Sequence, residues 1–271
     1  MIYDQIQEAL QFIRSKTDLA PRFGIILGTG LGHLADEIEV AAEIPYGEIP
    51  HFPVSTVPGH KGHLILGHLA GQPVVAMAGR FHYYEGYSMQ QVVFPVRVMK
   101  FMGIERLFIS NVSGSTNENI HPGDLVFVRD HINLHPDNPL RGPNDERLGP
   151  RFPEMVFTYD RAMNARALDI AKTHDIRAHE GVYVALPGPN LETPAEYLFL
   201  HRIGGDLVGM STVPEVLAAH HMDLPVFVVS VVSNQCYPLE VIEETTVEEV
   251  IAVAESAEPK MRLIIKTLLA D

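Results

Sequence analysis

Three observations predict an α/β fold in which helices flank a largely parallel sheet. Short apolar runs alternate with stretches of helical periodicity along the chain. Most of those runs end in glycine or small polar residues, where α/β proteins open their strands onto a site. The 271 residues are 46% hydrophobic, enough for one full core and too apolar for a disordered chain.

The elements follow in order. Ile2, Ile6, Leu10 and Ile13 recur at helical spacing, so residues 3–16 read as an amphipathic helix that Pro21 stops. Phe23 to Leu27 reads as a buried strand running into Gly28-Thr29-Gly30-Leu31-Gly32, a turn able to offer backbone N–H groups and the Thr29 hydroxyl to an anion. A dinucleotide fingerprint would need a third glycine where His33 stands, and a purely structural turn is the other alternative. Leu64–Leu66 and Val74–Ala78 read as paired strands joined by a glycine-containing turn.

The stretch Gly79-Arg80-Phe81-His82-Tyr83-Tyr84-Glu85-Gly86-Tyr87 follows directly. Arg80 carries a permanent charge on a planar fork that suits an oxyanion, and an extended chain points His82 the same way. A polar turn with a structural ion pair is the competing explanation.

Residues 88–102 read as a helix containing Pro95. Arg106–Ser110 is a strand ending in Asn111-Val112-Ser113-Gly114-Ser115, and Leu125–Val128 is another. Residues 133–154 form a long loop without periodicity, of the kind found at functional sites or interfaces. A helix over 161–173 and a strand over Gly181–Leu186 follow.

Thr193-Pro194-Ala195-Glu196 then reads as a capping box, which leaves Glu192 outside the helix and able to face a site. The pattern recurs after the strand Asp206–Met210. There Thr212-Val213-Pro214-Glu215 reads as a second box, leaving Ser211 beside a helix N-terminus. Pro225–Val232 is the last strand, ending in Ser233 and Asn234. The terminal helix buries a stripe from Val247 through Val250, Ile251, Ala254, Met261, Ile265 and Leu268, and Pro259 is expected to kink it.

Composition narrows the function. A net charge of −14 argues against a nucleic-acid partner and asks for a locally positive pocket if the substrate is an anion. No apolar run reaches the roughly 18 residues of a membrane span, and Met1 to Lys16 has no apolar core of a signal peptide. The single cysteine, Cys236, excludes a disulfide framework and fits a reducing cytoplasm; it reads as a buried thiol rather than a nucleophile. His60, His63 and His68 match no zinc spacing, so no metal is expected.

The polar residues at strand ends split into two groups. Thr29, Arg80, His82 and Ser211 suit a phosphate. Glu192 and Asn234 offer an acceptor and an amide to a flat heterocycle with an N–H beside a carbonyl, and Tyr84 and Met210 could line a sugar between them.

These pieces together resemble the trimeric, low-molecular-mass purine nucleoside phosphorylases, a group related to the methylthioadenosine phosphorylases, over nearly the whole chain. The matching motifs are Gly28 to Gly32, Val57-Pro58-Gly59-His60, Gly79 to Gly86, Asn138 to Arg147, Gly188 to Thr193 and Gly209 to Glu215. The resemblance implies one domain over residues 1–271, built on a central mixed, mostly parallel β-sheet flanked by helices. It implies reversible phosphorolysis of purine nucleosides to free base and pentose 1-phosphate, with inorganic phosphate as co-substrate and no cofactor.

Thr29, Arg80, His82, Ser211 and the Val112 backbone would hold phosphate, with His60 close by. Tyr84, Met210 and Val247 would meet the sugar. Glu192 would take the base N1–H and Asn234 its O6 and N7 edge, with Ser113, Gly114 and Leu191 around the base. His82, Glu192 and Asn234 would carry the chemistry. Phe152 would reach into a neighbouring subunit's site, which implies a homotrimer.

Some positions depart from the family pattern. Leu191 stands where many relatives have phenylalanine, and Ser113 replaces a small apolar residue. Gln235-Cys236-Tyr237-Pro238 is unlike the usual segment, and Val247 replaces a histidine that meets the sugar 5′-hydroxyl. Asn234 argues for 6-oxopurines such as inosine and guanosine; an apolar Val247 keeps 5′-methylthio nucleosides as an alternative. A non-catalytic nucleoside-binding protein is the alternative of another class, and the intact Arg80, His82, Glu192 and Asn234 set speaks against it.

Overall fold

The computed structural model describes residues 1–56 and 61–271. Its strands are β1 (Phe23–Ile26), β2 (Glu39–Pro45), β3 (His63–Leu69), β4 (Gln72–Ala78), β5 (Arg106–Ser115), β6 (Leu125–Asn133), β7 (Ala178–Ala185), β8 (Leu207–Gly209) and β9 (Val226–Gln235). Its helices are α1 (Ile2–Arg14), α2 (Met89–Met102), α3 (Arg161–Thr173), α4 (Pro194–Arg202), α5 (Val213–His221) and α6 (Val247–Ala270).

The nine strands form one mixed sheet in the order β2-β3-β4-β1-β5-β8-β7-β6-β9, and β9 also pairs with β5. The right-hand part therefore closes on itself, from β5 through β8, β7, β6 and β9 back to β5. Strands β4, β1, β5 and β9 lie side by side and parallel, so their C-terminal ends emerge at one edge. Gly28, Arg80, Asn111 to Gly114 and Asn234 come out there.

Residue alternation along the strands divides the core. Ile26, Val75, Met77, Leu107 and Ile109 pack on one face with Ile6, Leu10, Val93, Val96 and Val216 of α1, α2 and α5. Ile25, Val74, Ala76 and Phe108, one residue out of step, pack on the other face with Met163, Ala167, Met261 and Ile265 of α3 and α6. Phe23, Phe108, Phe227 and Phe127 cross this second face as a ladder of rings with centroids 6.0, 5.9 and 5.5 Å apart.

Several boundaries differ from the sequence reading. β2 went unread because an edge strand with one neighbour stays exposed, and its pairing with β3 shifts between Val40 and Ala42. Helix α6 runs unbroken through Pro259, and its buried stripe begins at Ala254, because Val247 is 69% exposed. Among the described residues no helix is long and apolar enough to cross a membrane.

Candidate active site

The C-terminal strand ends surround a cavity of about 370 Å³, a volume suited to a small organic ligand. Every predicted site residue lines it except His60, which lies outside the described residues, and Phe152. Phe152 is 86% exposed and is not among the residues lining this chain's own cavity.

One half of the cavity is cationic. Arg80 is 1% exposed and anchored from two sides: Nη1 donates to Ser211 Oγ at 3.0 Å and Thr212 Oγ1 at 3.3 Å, and Nε faces Glu215 Oε1 at 3.2 Å. Thr212 Oγ1 also accepts from Asn111 Nδ2 at 2.9 Å, and Asn111 Oδ1 accepts from Ser230 Oγ at 2.7 Å. A guanidinium so held cannot swing, which fixes the direction of its charge.

This network corrects the second capping box. The Thr212 side chain makes no cap hydrogen bond, because its hydroxyl serves Arg80 and Asn111, and Glu215 is the counter-charge of Arg80 rather than the reciprocal cap. Thr212 instead adopts φ 74° and ψ −57°, while Val213 N donates to Ser211 O at 2.8 Å. That is a γ-turn, a strained backbone that turns the hydroxyl inward and leaves Ser211 at the α5 N-terminus.

The first box holds as read. Thr193 Oγ1 accepts from Glu196 N, and Glu196 accepts from Thr193 N, with Pro194 opening α4.

His82 is fixed by Glu85, whose Oε1 accepts from His82 N at 2.8 Å and lies 3.0 Å from Nδ1. The other oxygen of Glu85 accepts from Thr56 N and Oγ1 at 2.9 and 2.5 Å. Burial works against the charged carboxylate, but the hydrogen bonds from His82 and Thr56 outweigh it and hold Glu85 at about 2. An ionised, acceptor-only partner places a proton on His82 Nδ1. Tyr84 stacks on the His82 ring at 4.7 Å, and its phenol, pushed up to about 12 mainly by burial, stays a neutral donor.

Glycine is required where the walls meet. A Cβ on Gly28 would stand 2.9 Å from Ser110 O, so the first loop lies directly on β5. Gly188, at φ +64°, would drive a Cβ to 2.4 Å from Met210 Sδ.

The opposite half carries the Glu192 carboxylate and the Asn234 amide. Glu192 sits half-buried, its pKa raised mainly by desolvation and a little by Glu196, against the lowering effect of its own backbone N–H and Tyr197. Asn234 is held at both ends: Oδ1 accepts from Ser233 Oγ at 2.7 Å, and Nδ2 donates to Cys236 Sγ at 3.2 Å. Each end keeps one further hydrogen-bonding valence for a ligand. Ser113 is 3% exposed and its Oγ has no hydrogen-bond partner among the described residues, so a buried hydroxyl is left to a ligand here. Thr245, Thr246, Val247 and Val250, where α6 begins, form an end wall of two threonines and two valines.

Sequence reasoning missed Asn111, Glu215, Glu85, Ser233 and Tyr197. Asn111 and Ser233 stood at strand ends already singled out. Glu85 and Glu215 were absorbed into local patterns, and Tyr197 is one turn into a helix whose start alone was read. Among the described residues no group of three or more His, Cys, Asp or Glu side chains is placed to hold a metal ion.

Comparison with known proteins shows the family of the chain. The phosphorylase superfamily model matches residues 22–270. Purine nucleoside phosphorylase 1 of Geobacillus stearothermophilus is 49% identical over 266 residues, covering 98% of this chain and 97% of its own length. Isoform 2 of the Schistosoma mansoni purine nucleoside phosphorylase, solved with cytosine and ribose-1-phosphate, superposes with a TM-score of 0.94 at 42% identity, covering 99% of this chain and 96% of that one. A Schistosoma mansoni purine nucleoside phosphorylase solved with inosine gives 0.93 at 40% identity, covering 99% and 96%.

Proposed function

The chain belongs to the phosphorylase superfamily and is an enzyme, and from that membership we propose that it cleaves 6-oxopurine nucleosides reversibly with inorganic phosphate. The products are the free base and ribose or deoxyribose 1-phosphate. The observation that carries the reading is the pairing, within one cavity, of a clamped Arg80 with a Glu192 and Asn234 wall.

Phosphate is held by Arg80, His82, Ser211, Thr29 and the Val112 backbone, with His60 as a further phosphate residue. The sugar lies against Tyr84, Met210 and Val247. Glu192 accepts the base N1–H, while Asn234 gives Nδ2–H to O6 and receives N7–H on Oδ1. Ser113, Gly114 and Leu191 close around the ring.

Breaking the glycosidic bond puts positive charge on the sugar and negative charge on the departing base. Phosphate fixed beside the sugar stabilises the first and then captures it. Glu192 and Asn234 stabilise the second as N7 gains a proton through solvent, balanced by the proton that hydrogen phosphate loses on bonding to the sugar. Positioning and electrostatics suffice, with no covalent enzyme intermediate.

A 6-aminopurine would meet Glu192 with an acceptor at N1, a mismatch that costs orders of magnitude. Residues 1–271 act as one catalytic domain. The exposed Phe152 serves a neighbouring site in a homotrimer, which gives the loop after β6 its role.

A second reading rests on the end wall. Val247 and Val250 offer no hydrogen bond to a sugar 5′-hydroxyl and would accept a 5′-methylthio group. A substrate panel at fixed phosphate tests both. The main reading expects inosine or guanosine to give the highest kcat/KM and adenosine the lowest. A higher kcat/KM for 5′-methylthioinosine than for inosine supports the second reading. Best turnover of adenosine sinks both.

A further inference from the structure

The loop that brings Thr29 to the cavity cannot hold its own shape. Three of its five residues, Gly28, Gly30 and Gly32, are glycines, which permit the turn but leave it many other conformations. Its first end is fixed by β5, where Gly28 N donates to Ser110 Oγ at 3.2 Å. Its middle lies against α6: Gly30 takes φ +69°, and a Cβ there would stand 2.8 Å from Ala254 Cβ and 3.4 Å from Ile251 O. Its far end runs into a short 3₁₀ helix, Gly32–Glu37, which Leu31 precedes without a side-chain cap.

Glu258 of α6 supplies the missing cap. Its Oε1 accepts from Leu34 N at 3.2 Å, and its Oε2 accepts from His33 Nδ1 at 2.6 Å. A carboxylate only accepts, so the ring proton sits on Nδ1. His33 is the residue that breaks the dinucleotide fingerprint, and here it has a partner of its own. Glu258 is 2% exposed. Burying a carboxylate is costly unless its oxygens are served, and both are served by the first turn beyond the Thr29 loop. A second tie, from Glu37 to Arg262 at 2.7 Å and to Lys266, lies farther along the 3₁₀ helix. All three of its side chains are partly exposed, so solvent screens it. Neither His33 nor Glu258 lines the cavity.

We propose that Glu258 and His33 are positioning residues for phosphate: by tying the start of the 3₁₀ helix to α6, they hold the Thr29 loop in its binding shape before phosphate arrives. This rests on the reading that the Gly28–Gly32 loop holds phosphate. A loop already in its bound shape loses less freedom on binding, so breaking the tie weakens phosphate and spares the nucleoside.

The test measures kcat, the KM for phosphate at saturating inosine and the KM for inosine at saturating phosphate, all in the full-length enzyme. His33→Ala should raise the phosphate KM about tenfold, the size of one hydrogen bond to a charged group, with kcat and the inosine KM kept within about twofold. His33→Asn, whose Nδ2–H can stand in for the ring Nδ1–H, should restore most of the loss. Glu258→Leu should raise the phosphate KM at least as much, and adding His33→Ala to it should change nothing further. Glu37→Gln is the control and should leave the phosphate KM unmoved.

A phosphate KM unmoved by His33→Ala overturns the proposal, as does a rise matched by the inosine KM, by His33→Asn or by Glu37→Gln. The His33 side chain is largely exposed, so its variants keep the test available if Glu258→Leu fails to fold. Thr29→Ala separates the two claims. If it too leaves the phosphate KM unmoved, the reading of the loop fails and the proposal with it. If it raises that KM while the His33 and Glu258 variants do not, only the tie is refuted.

Discussion

Glu192 and Arg80 show how much a single residue's surroundings decide. Removing the Glu192 acceptor by Glu192→Ala should lower inosine kcat/KM by about 10²–10³, the usual effect of deleting one charge-stabilising partner, with binding of phosphate alone unchanged. Burial holds the Glu192 pKa above the ordinary carboxyl value. Only the ionised form accepts N1–H, so inosine kcat/KM should fall on acidification through that raised pKa. Of the groups facing Glu192, Glu196 raises the pKa, and Tyr197 and the backbone N–H lower it. Tyr197→Phe should therefore move the acid limb to higher pH.

The stability sign runs the other way. A carboxyl whose folded pKa is raised stabilises the fold while protonated, and that contribution is lost as pH rises through the folded pKa. Glu192→Gln should thus raise Tm at neutral pH while losing activity, a trade expected of functional sites. Glu192 was legible in the sequence because the capping box beside it had already assigned Thr193 and Glu196, and Arg80 because it follows directly on a buried strand with a guanidinium suited to an oxyanion. Glu215 was not, because its spacing from Thr212 satisfies a capping box equally well, and only the fold shows that Arg80 claims it.

At the scale of elements, the junction of β8 and α5 links backbone geometry to the Arg80 half of the cavity. Thr212→Val keeps the shape of the strained turn and deletes the hydroxyl shared by Arg80 and Asn111. It should raise the KM for phosphate about tenfold and cost about 1–3 kcal/mol, the range for a buried hydrogen-bond partner left unmade. Far from the site, Phe227→Ala breaks the aromatic ladder and should cost about 3–5 kcal/mol in denaturant unfolding, with KM values for phosphate and inosine kept in the folded fraction. The strands and helices of the interior could be read because they are buried, so their apolar period is intact. β2 could not, because it lies at the sheet edge; the first turn of α6 was read as helix, but its Val247 was expected to be buried and instead lines the cavity.

For the whole molecule, parallel strands deliver two chemically different walls to one opening, and the sheet's closure from β5 back to β5 brings β8 and β9 to the same place as β1 and β4. The alternation of elements made the α/β architecture readable. The closure was not, since it depends on antiparallel pairings of β8 and β6 that no local pattern announces. In the proposed homotrimer, Phe152→Ala damages the neighbour's site and Glu192→Ala its own. Mixed assemblies of the two variants should therefore recover activity above that of either alone, and no recovery counts against shared sites.

The most direct measurement follows the fate of the sugar. Purified enzyme is given inosine with and without inorganic phosphate, and hypoxanthine, ribose and ribose 1-phosphate are quantified. Two opposed walls around one breaking bond require hypoxanthine and ribose 1-phosphate in equal amounts, with phosphate present and in negligible amount without it. Free ribose, or base release indifferent to phosphate, would contradict the account.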